Sequence, residues 1–233
     1  MTPTSPAELA ARIAAHHRPG AALVVGITGS VAVGKTELAG QIARALPAHF
    51  RADIISTDGF LKPNAVLEAE GLMLRKGFPE SFDRPALAAA LAALKHGAVC
   101  VPGYSHTAYD VDPAAARTVS GADIVLVEGL GLAPDAAGVR PPLDQLLYID
   151  AAEADITAWF LARFMGFWDA AAGDPASFYA RFRHMTAGEA RAFALGVWND
   201  INRPNWTDHI AMAKPFADIV VIKSADHSLT LER

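Results

Sequence analysis

The chain has 233 residues, 52% of them apolar and 19% charged, with 20 Lys and Arg against 25 Asp and Glu for a formal charge of −5. That size and composition suit one domain with a substantial core and exclude intrinsic disorder. The mild acidity without a basic run argues against a nucleic-acid partner, and no apolar run approaches the roughly 18–20 residues of a membrane span.

The first residues lack an apolar stretch behind a basic start, so no secretory leader is expected and the chain reads as cytoplasmic. Ser5-Pro6-Ala7-Glu8 predicts a capped helix reaching about His17 and stopped by Pro19-Gly20. That helix, within residues 1–20, precedes a core of residues 22–233, and 1–233 is read as a single domain. Residues 22–28 (ALVVGIT) form an apolar, β-branched run that predicts a buried parallel strand. A glycine-bearing loop follows, then a helix over 36–45 and a strand over 53–56. Residues 85–95 predict a helix with Asp83 as cap. Cys100 is the lone cysteine, so no internal disulfide can form, and its apolar stretch 98–101 predicts a buried core position. Strands are predicted over 123–127, 146–149 and 218–222. Asp150-Ala151-Ala152-Glu153 reads as the start of a long helix over 151–166, and Thr186-Ala187-Gly188-Glu189 as a second capping box opening a helix to about Asn199. Strands separated by helices predict an α/β, doubly wound, mostly parallel sheet.

Gly29-Ser30-Val31-Ala32-Val33-Gly34-Lys35-Thr36 fits G-x-x-x-x-G-K-[ST] between a predicted strand and a predicted helix. Glycines let the backbone wrap a phosphate and aim its N–H groups at the oxygens. Lys35 would reach the β- and γ-phosphates of ATP, and the Thr36 hydroxyl would ligate Mg²⁺. The helix that follows presents its positive end to the anion.

Ligands in an open parallel sheet lie beyond the carboxyl ends of the strands. Asp58 follows the second strand there and Glu128 the third. A kinase needs a carboxylate to take the acceptor's proton and often another beside the metal, so Asp58 is the candidate base and Glu128 the candidate metal-side acid. Read alone, Asp58-Gly59 is equally an ordinary turn. Tyr104, His106 and Tyr109 fall within seven residues and could orient a polar substrate. Trp159, Phe160, Arg163, Phe164 and Phe167 share one helix. Such an aromatic stripe is usually core, but an arginine embedded in it can clamp an anion. Arg181 and Arg183 read equally as a solvated face.

The stretches GSVAVGKT (29–36), STDGFLKPN (56–64), GLMLRKGFPESFD (71–83), YSHTAYD (104–110), LVEGL (126–130), Arg163-Phe164, Trp198 with Ile201-Asn202, and KSADH (223–227) run in one order along the chain. Together they resemble bacterial type I pantothenate kinase, in the phosphoribulokinase/uridine kinase group of P-loop kinases. The resemblance implies a P-loop kinase fold, ATP- and Mg²⁺-dependent phosphorylation of pantothenate to 4′-phosphopantothenate, a homodimer, and inhibition by coenzyme A. It makes Asp58 the catalytic base and gives Lys35 and Thr36 the phosphate and Mg²⁺ roles. Tyr104, His106, Tyr109, Arg163 and Asn202 would line the pantothenate pocket, and Lys223 and His227 would lie near the adenine. Four positions depart from the pattern. Phe160 stands where the family has a pocket tyrosine, Ala172 where it has a phenylalanine, Gly131 where it has an asparagine, and Gly40 where it has an arginine used for coenzyme A. The family's N-terminal extension is expected to be largely missing before Ala22. Pantothenate is therefore expected to be used less efficiently than by a typical member, and coenzyme A to inhibit weakly. Two other readings stay open: a kinase of this fold for another small hydroxyl substrate, such as a nucleoside, sugar or hydroxy acid, and a nucleotide-binding regulator with little catalysis.

Overall fold

Five short apolar runs, too rich in Val, Ile and Leu to face water, pair with one another and take helices on both faces. The structure, a computed structural model, describes residues 2–232. In chain order, β1 (Thr2–Thr4) and α1 (Pro6–Ala14) lead to β2 (Leu23–Gly29), all seven of whose residues are buried. Then come α2 (Lys35–Ala45), β3 (Ala52–Ser56), α3 (Asn64–Ala69) and α4 (Arg84–Leu94). β4 (Val99–Ser105) and β5 (Asp110–Val119) form a separate antiparallel hairpin. β6 (Ile124–Glu128), β7 (Gln145–Ala151), α5 (Glu153–Ala170), α6 (Ala187–Val197), β8 (Ile219–Lys223) and β9 (Leu229–Leu231) complete the chain.

The main sheet runs β1-β9-β8-β7-β2-β6-β3. β3, β6, β2, β7 and β8 are mutually parallel, and β9 and β1 extend one edge antiparallel. All five parallel strands therefore end on the same side, and the loops after Gly29, Ser56, Glu128, Ala151 and Lys223 leave together.

Side chains alternate between the two sheet faces, as the strand period of two requires. Val25, Ile27, Leu126, Leu147 and Val221 pack with Leu9 and Ile13 of α1, Leu38 and Ile42 of α2, and Ile156 of α5. Val24, Val125, Val127, Leu146, Tyr148 and Val220 face Leu87, Leu91 and Leu94 of α4. A third cluster joins Leu161, Phe164 and Trp168 of α5 to Ala190 and Ala194 of α6.

The predicted caps form. Ser5 and Thr186 each close a capping box with the glutamate three residues on, and Asp83 accepts from Ala86 N at 2.9 Å. Two expectations are corrected. Cys100 is exposed rather than buried, because β4 belongs to the outlying hairpin and turns Val99 and Val101 of that stretch inward, leaving Cys100 on the other face. Asp150 does not open α5: β7 continues through Ala151, Ala152 occupies the cap position, and the Asp150 carboxylate accepts from Lys214 Nζ at 2.7 Å.

Candidate active site

The loop after β2 is shaped before any side chain contributes. Gly34 starts α2 at φ 100°, and a Cβ added there would lie 2.8 Å from Lys223 Nζ. No side chain caps α2, so its first N–H groups point into the loop. Lys35 folds back over it, donating to Ser30 O at 2.9 Å and to Gly29 O at 3.3 Å. Burial lowers the Lys35 pKa to about 8, with Glu128 and Asp58 opposing the shift and Arg163 adding to it. Ser30 Oγ is buried and has no hydrogen-bond partner among the described residues. An uncapped helix start, a lysine that gains by meeting negative charge and a spare hydroxyl together fit a polyphosphate.

Glu128 ends β6 opposite Ser56 of β3. Burial raises its pKa; Lys35 opposes this, Asp58 adds to it, and hydroxyl donation from Thr36 and Ser56 opposes it. Asp58 lies in the turn Thr57–Phe60, with its N–H on Ser56 Oγ at 3.3 Å. Gly129 holds the two carboxylate-bearing segments together. It sits at φ 152°, and a Cβ there would come within 1.7 Å of Thr57 Oγ1, which itself accepts from Leu130 N at 3.2 Å. Asp58, Glu128, Lys35 and Thr36 thus occupy one electrostatic cluster. No group of three or more His, Cys, Asp or Glu arranged to hold a metal occurs among the described residues. The Thr36 hydroxyl beside one carboxylate is instead the kind of partial site that suits Mg²⁺ arriving with phosphates.

The hairpin supplies the next wall. Tyr104 and His106 stand edge to face at 5.2 Å, and Tyr109 lies at φ 56°, an uncommon conformation for a bulky residue. Lys76 joins them. Its Nζ donates to Asn64 Oδ1 at 2.6 Å and Tyr109 O at 2.5 Å, and lies 4.3 Å from the Tyr109 ring centroid. Burial lowers its pKa to about 8 against the pull of Asp110 and Asp58. Burial also raises Tyr104 well above the ordinary phenol range and pushes Tyr109 up to about 12, so both remain donors at neutral pH.

From α5, Arg163 is exposed, with its guanidinium 5.5 Å from the Phe167 ring. Its charge reaches Lys35 and Tyr179. Phe160 packs on Trp198 at 5.7 Å. Asn202 ends a π-helical turn, Trp198–Asn202, and its amide donates back to Val197 O at 3.4 Å; no bond links it to the tyrosines among the described residues. On the far side of the phosphate loop, Lys223 donates to Val33 O at 2.9 Å and lies 4.4 Å from the Trp159 ring, on which His227 stacks at 5.3 Å. His227 is at φ 66°, so among the described residues the non-glycines with positive φ (Ala32, Tyr109 and His227) all fall in predicted site segments.

The other departures are placed as follows. A Cβ at Gly131 would meet Phe82 and Leu87 at 3.4 Å, so that position faces packed rings. Over Gly40 stands Arg44 Nη1, 3.2 Å from an added Cβ. Ala172 is exposed just beyond α5. Arg181 and Arg183 lie over the rings of Phe178 and Trp168. The structure adds Lys76, Tyr179 and Ser56 to the residues that the sequence points to, and puts Trp159 of the aromatic stripe against Lys223 and His227. Lys76 lay unread inside the stretch 71–83, and Tyr179 beside arginines that drew attention to charge.

The chain is similar to several known proteins. A protein from Leifsonia xyli named pantothenate kinase is 43% identical over 218 residues, covering 89% of this chain and 67% of the relative. One of the same name from Sorangium cellulosum is 44% identical over 217 residues, covering 88% and 70%. Among solved structures, a candidate fructose transport system kinase from Silicibacter sp. TM1040 superposes with TM-score 0.72 at 24% identity, covering 88% and 93%. A D-glycerate 3-kinase from Cryptococcus neoformans superposes at 0.62 and 16% identity, covering 98% and 95%. These two show the shared fold. The chain matches the Phosphoribulokinase / Uridine kinase family over residues 24–165, and with its complete phosphate loop it belongs to that family of P-loop kinases, phosphotransferases with an alcohol group as acceptor.

Proposed function

We propose that this chain transfers the γ-phosphoryl group of ATP to a hydroxyl of pantothenate, giving 4′-phosphopantothenate, the entry to coenzyme A. The observation that carries the reading is the run of relatives named pantothenate kinase at 40–44% identity over 88–89% of the chain. The site's chemistry supports it. Pantothenate carries a carboxylate, an amide and two hydroxyls, and the protein offers protonated tyrosines, His106, Lys76 and Arg163 around Asp58. In this reading Asp58 accepts the proton of the attacking hydroxyl. Lys35 and the N–H groups of residues 29–36 hold the phosphates, and Lys223 and His227 border the adenine against Trp159. Thr36 and Glu128 would hold Mg²⁺, which neutralises charge between the phosphates when bound. No helix among the described residues is long and apolar enough to cross a membrane. A cytoplasmic homodimer, as the resemblance implies, completes the proposal.

An ADP-release assay across vitamins, nucleosides and sugar acids tests it. Pantothenate should give the highest kcat/KM. Turnover of another acceptor with none of pantothenate overturns the substrate and leaves the family standing.

A further inference from the structure

The chain has four tyrosines. One is answered within the protein: the Tyr148 hydroxyl accepts from Trp206 Nε1 at 3.2 Å. Tyr104, Tyr109 and Tyr179 come from two distant parts of the chain to one place, and no hydrogen bond reaches their hydroxyls among the described residues. Half-buried donors without protein partners are free to meet water or a ligand, and a few such polar groups set among aromatic rings are what orients a small molecule in a pocket.

Tyr179 is held there by its own construction. It sits in the short turn Phe178–Phe182, where Ser177 Oγ accepts from Tyr179 N at 3.3 Å. Phe178 N–H donates to Thr107 O at 2.9 Å, and the Phe178 ring stacks on Tyr109 at 4.3 Å, which ties the turn to the hairpin tip. The Tyr179 ring stacks on Phe167 at 5.0 Å and stands edge-on to Phe164 at 5.5 Å. Beside it lies a cavity of about 130 Å³, lined also by His106, Thr107, Phe167 and Asp174. Burial holds the phenol in its protonated, donating form, and its hydroxyl shares the field of Tyr104, Tyr109 and Arg163. Phe160 offers the opposite: an apolar ring packed between the α5 core and Trp198.

We propose that Tyr179 is a specificity-determining contact of the acceptor, its hydroxyl donating to a polar group of the substrate and supplying the donor that position 160 lacks. This rests on the pantothenate reading above. The ring stack fixes the aromatic plane, so the hydroxyl loses little freedom on binding. Removing it leaves the substrate's polar group desolvated and unpaired, which is where discrimination by hydrogen-bonding sites comes from.

Steady-state kinetics of wild type, Tyr179→Phe, and Tyr179→Phe with Phe160→Tyr test the proposal. Phenylalanine keeps the stack on Phe167, so the fold is preserved. Tyr179→Phe should lower kcat/KM for pantothenate roughly 10–100-fold, chiefly through KM, because an unpaired buried group costs that much. KM for ATP should stay within about twofold of wild type, a separation that a merely structural role would not produce. The double variant should recover much of the loss, by returning a hydroxyl from the neighbouring wall. Wild-type turnover of pantothenate with Tyr179→Phe equal to it overturns this proposal alone. No wild-type turnover of pantothenate overturns the acceptor reading and this proposal with it.

Discussion

Lys35 is the side chain on which the charges of the site converge: Glu128, Asp58 and Arg163 all bear on it. Lys35→Met should therefore reduce phosphoryl transfer by ~10²–10³ or more while leaving the fold intact, as loss of a preorganised charge does elsewhere. Retention of a tenth of wild-type kcat would contradict its role. Asp58→Asn keeps size and hydrogen bonding but cannot take the proton. It should lower kcat by ~10²–10⁴ with little change in KM for ATP. Should Glu128→Gln be dead and Asp58→Asn nearly silent, the two carboxylates have exchanged roles. The pH dependence follows from burial, which lowers Lys35 and Lys76 from 10.5 to about 8. The unfolded chain binds more protons between those values, so this contribution to stability rises with pH through that window, and the charged lysines are a burden below it. Phosphate needs the cation, so kcat/KM for ATP should fall as pH rises through about 8; a profile that stays flat well above that pH would contradict this. Lys35 was legible in the sequence because the loop that holds it, residues 29–36, is one contiguous stretch in which it donates to Gly29 O and Ser30 O. Lys76 and Tyr179 were not, since their surroundings are assembled across the chain, as the Lys76–Tyr109 bond shows.

At the scale of elements, the active geometry depends on β6 passing close to the turn Thr57–Phe60. Gly129→Ala places a carbon 1.7 Å from Thr57 Oγ1. It should destabilise by about 1–3 kcal/mol through overpacking and lower kcat by displacing Asp58 from Glu128. Gly166→Ala is the control of opposite sign. Gly166 lies inside α5 and a Cβ there meets nothing within 4 Å, so alanine should stabilise by roughly 0.5–1 kcal/mol. Denaturation midpoints with kcat check both, and equal effects from the two would refute the close-approach explanation. The parallel strands were legible because burial on both faces leaves an unbroken apolar run. The hairpin was not. β5 reads Asp110-Val111-Asp112-Pro113 followed by three alanines, with little β-preference, and is mostly exposed. Its register, Tyr104 against Val111 and Ser105 against Asp110, comes from pairing alone. The same register explains Cys100: in an outlying two-stranded sheet, alternate residues have no second layer to meet.

On the scale of the whole molecule, five parallel strands deliver the phosphate loop, Asp58, Glu128 and Lys223 to one edge, with Asp150 there serving Lys214 instead. That edge was predictable from strand order, whereas the proposed acceptor wall was not, because it draws on a hairpin tip, one face of α5 and the turn Phe178–Phe182. A bound nucleotide should stabilise the molecule in proportion to its affinity, by RT ln(1 + [L]/Kd), and less so in Lys35→Met. The most direct measurement is mass-spectrometric product analysis of the purified chain with ATP, Mg²⁺ and pantothenate, wild type beside Asp58→Asn. The expected result is one phosphoryl group added to pantothenate in step with ADP by wild type, and formed ~10²–10⁴ times more slowly by the variant. Unmodified pantothenate from a wild type that consumes ATP with another acceptor, or an equally active Asp58→Asn, would contradict it.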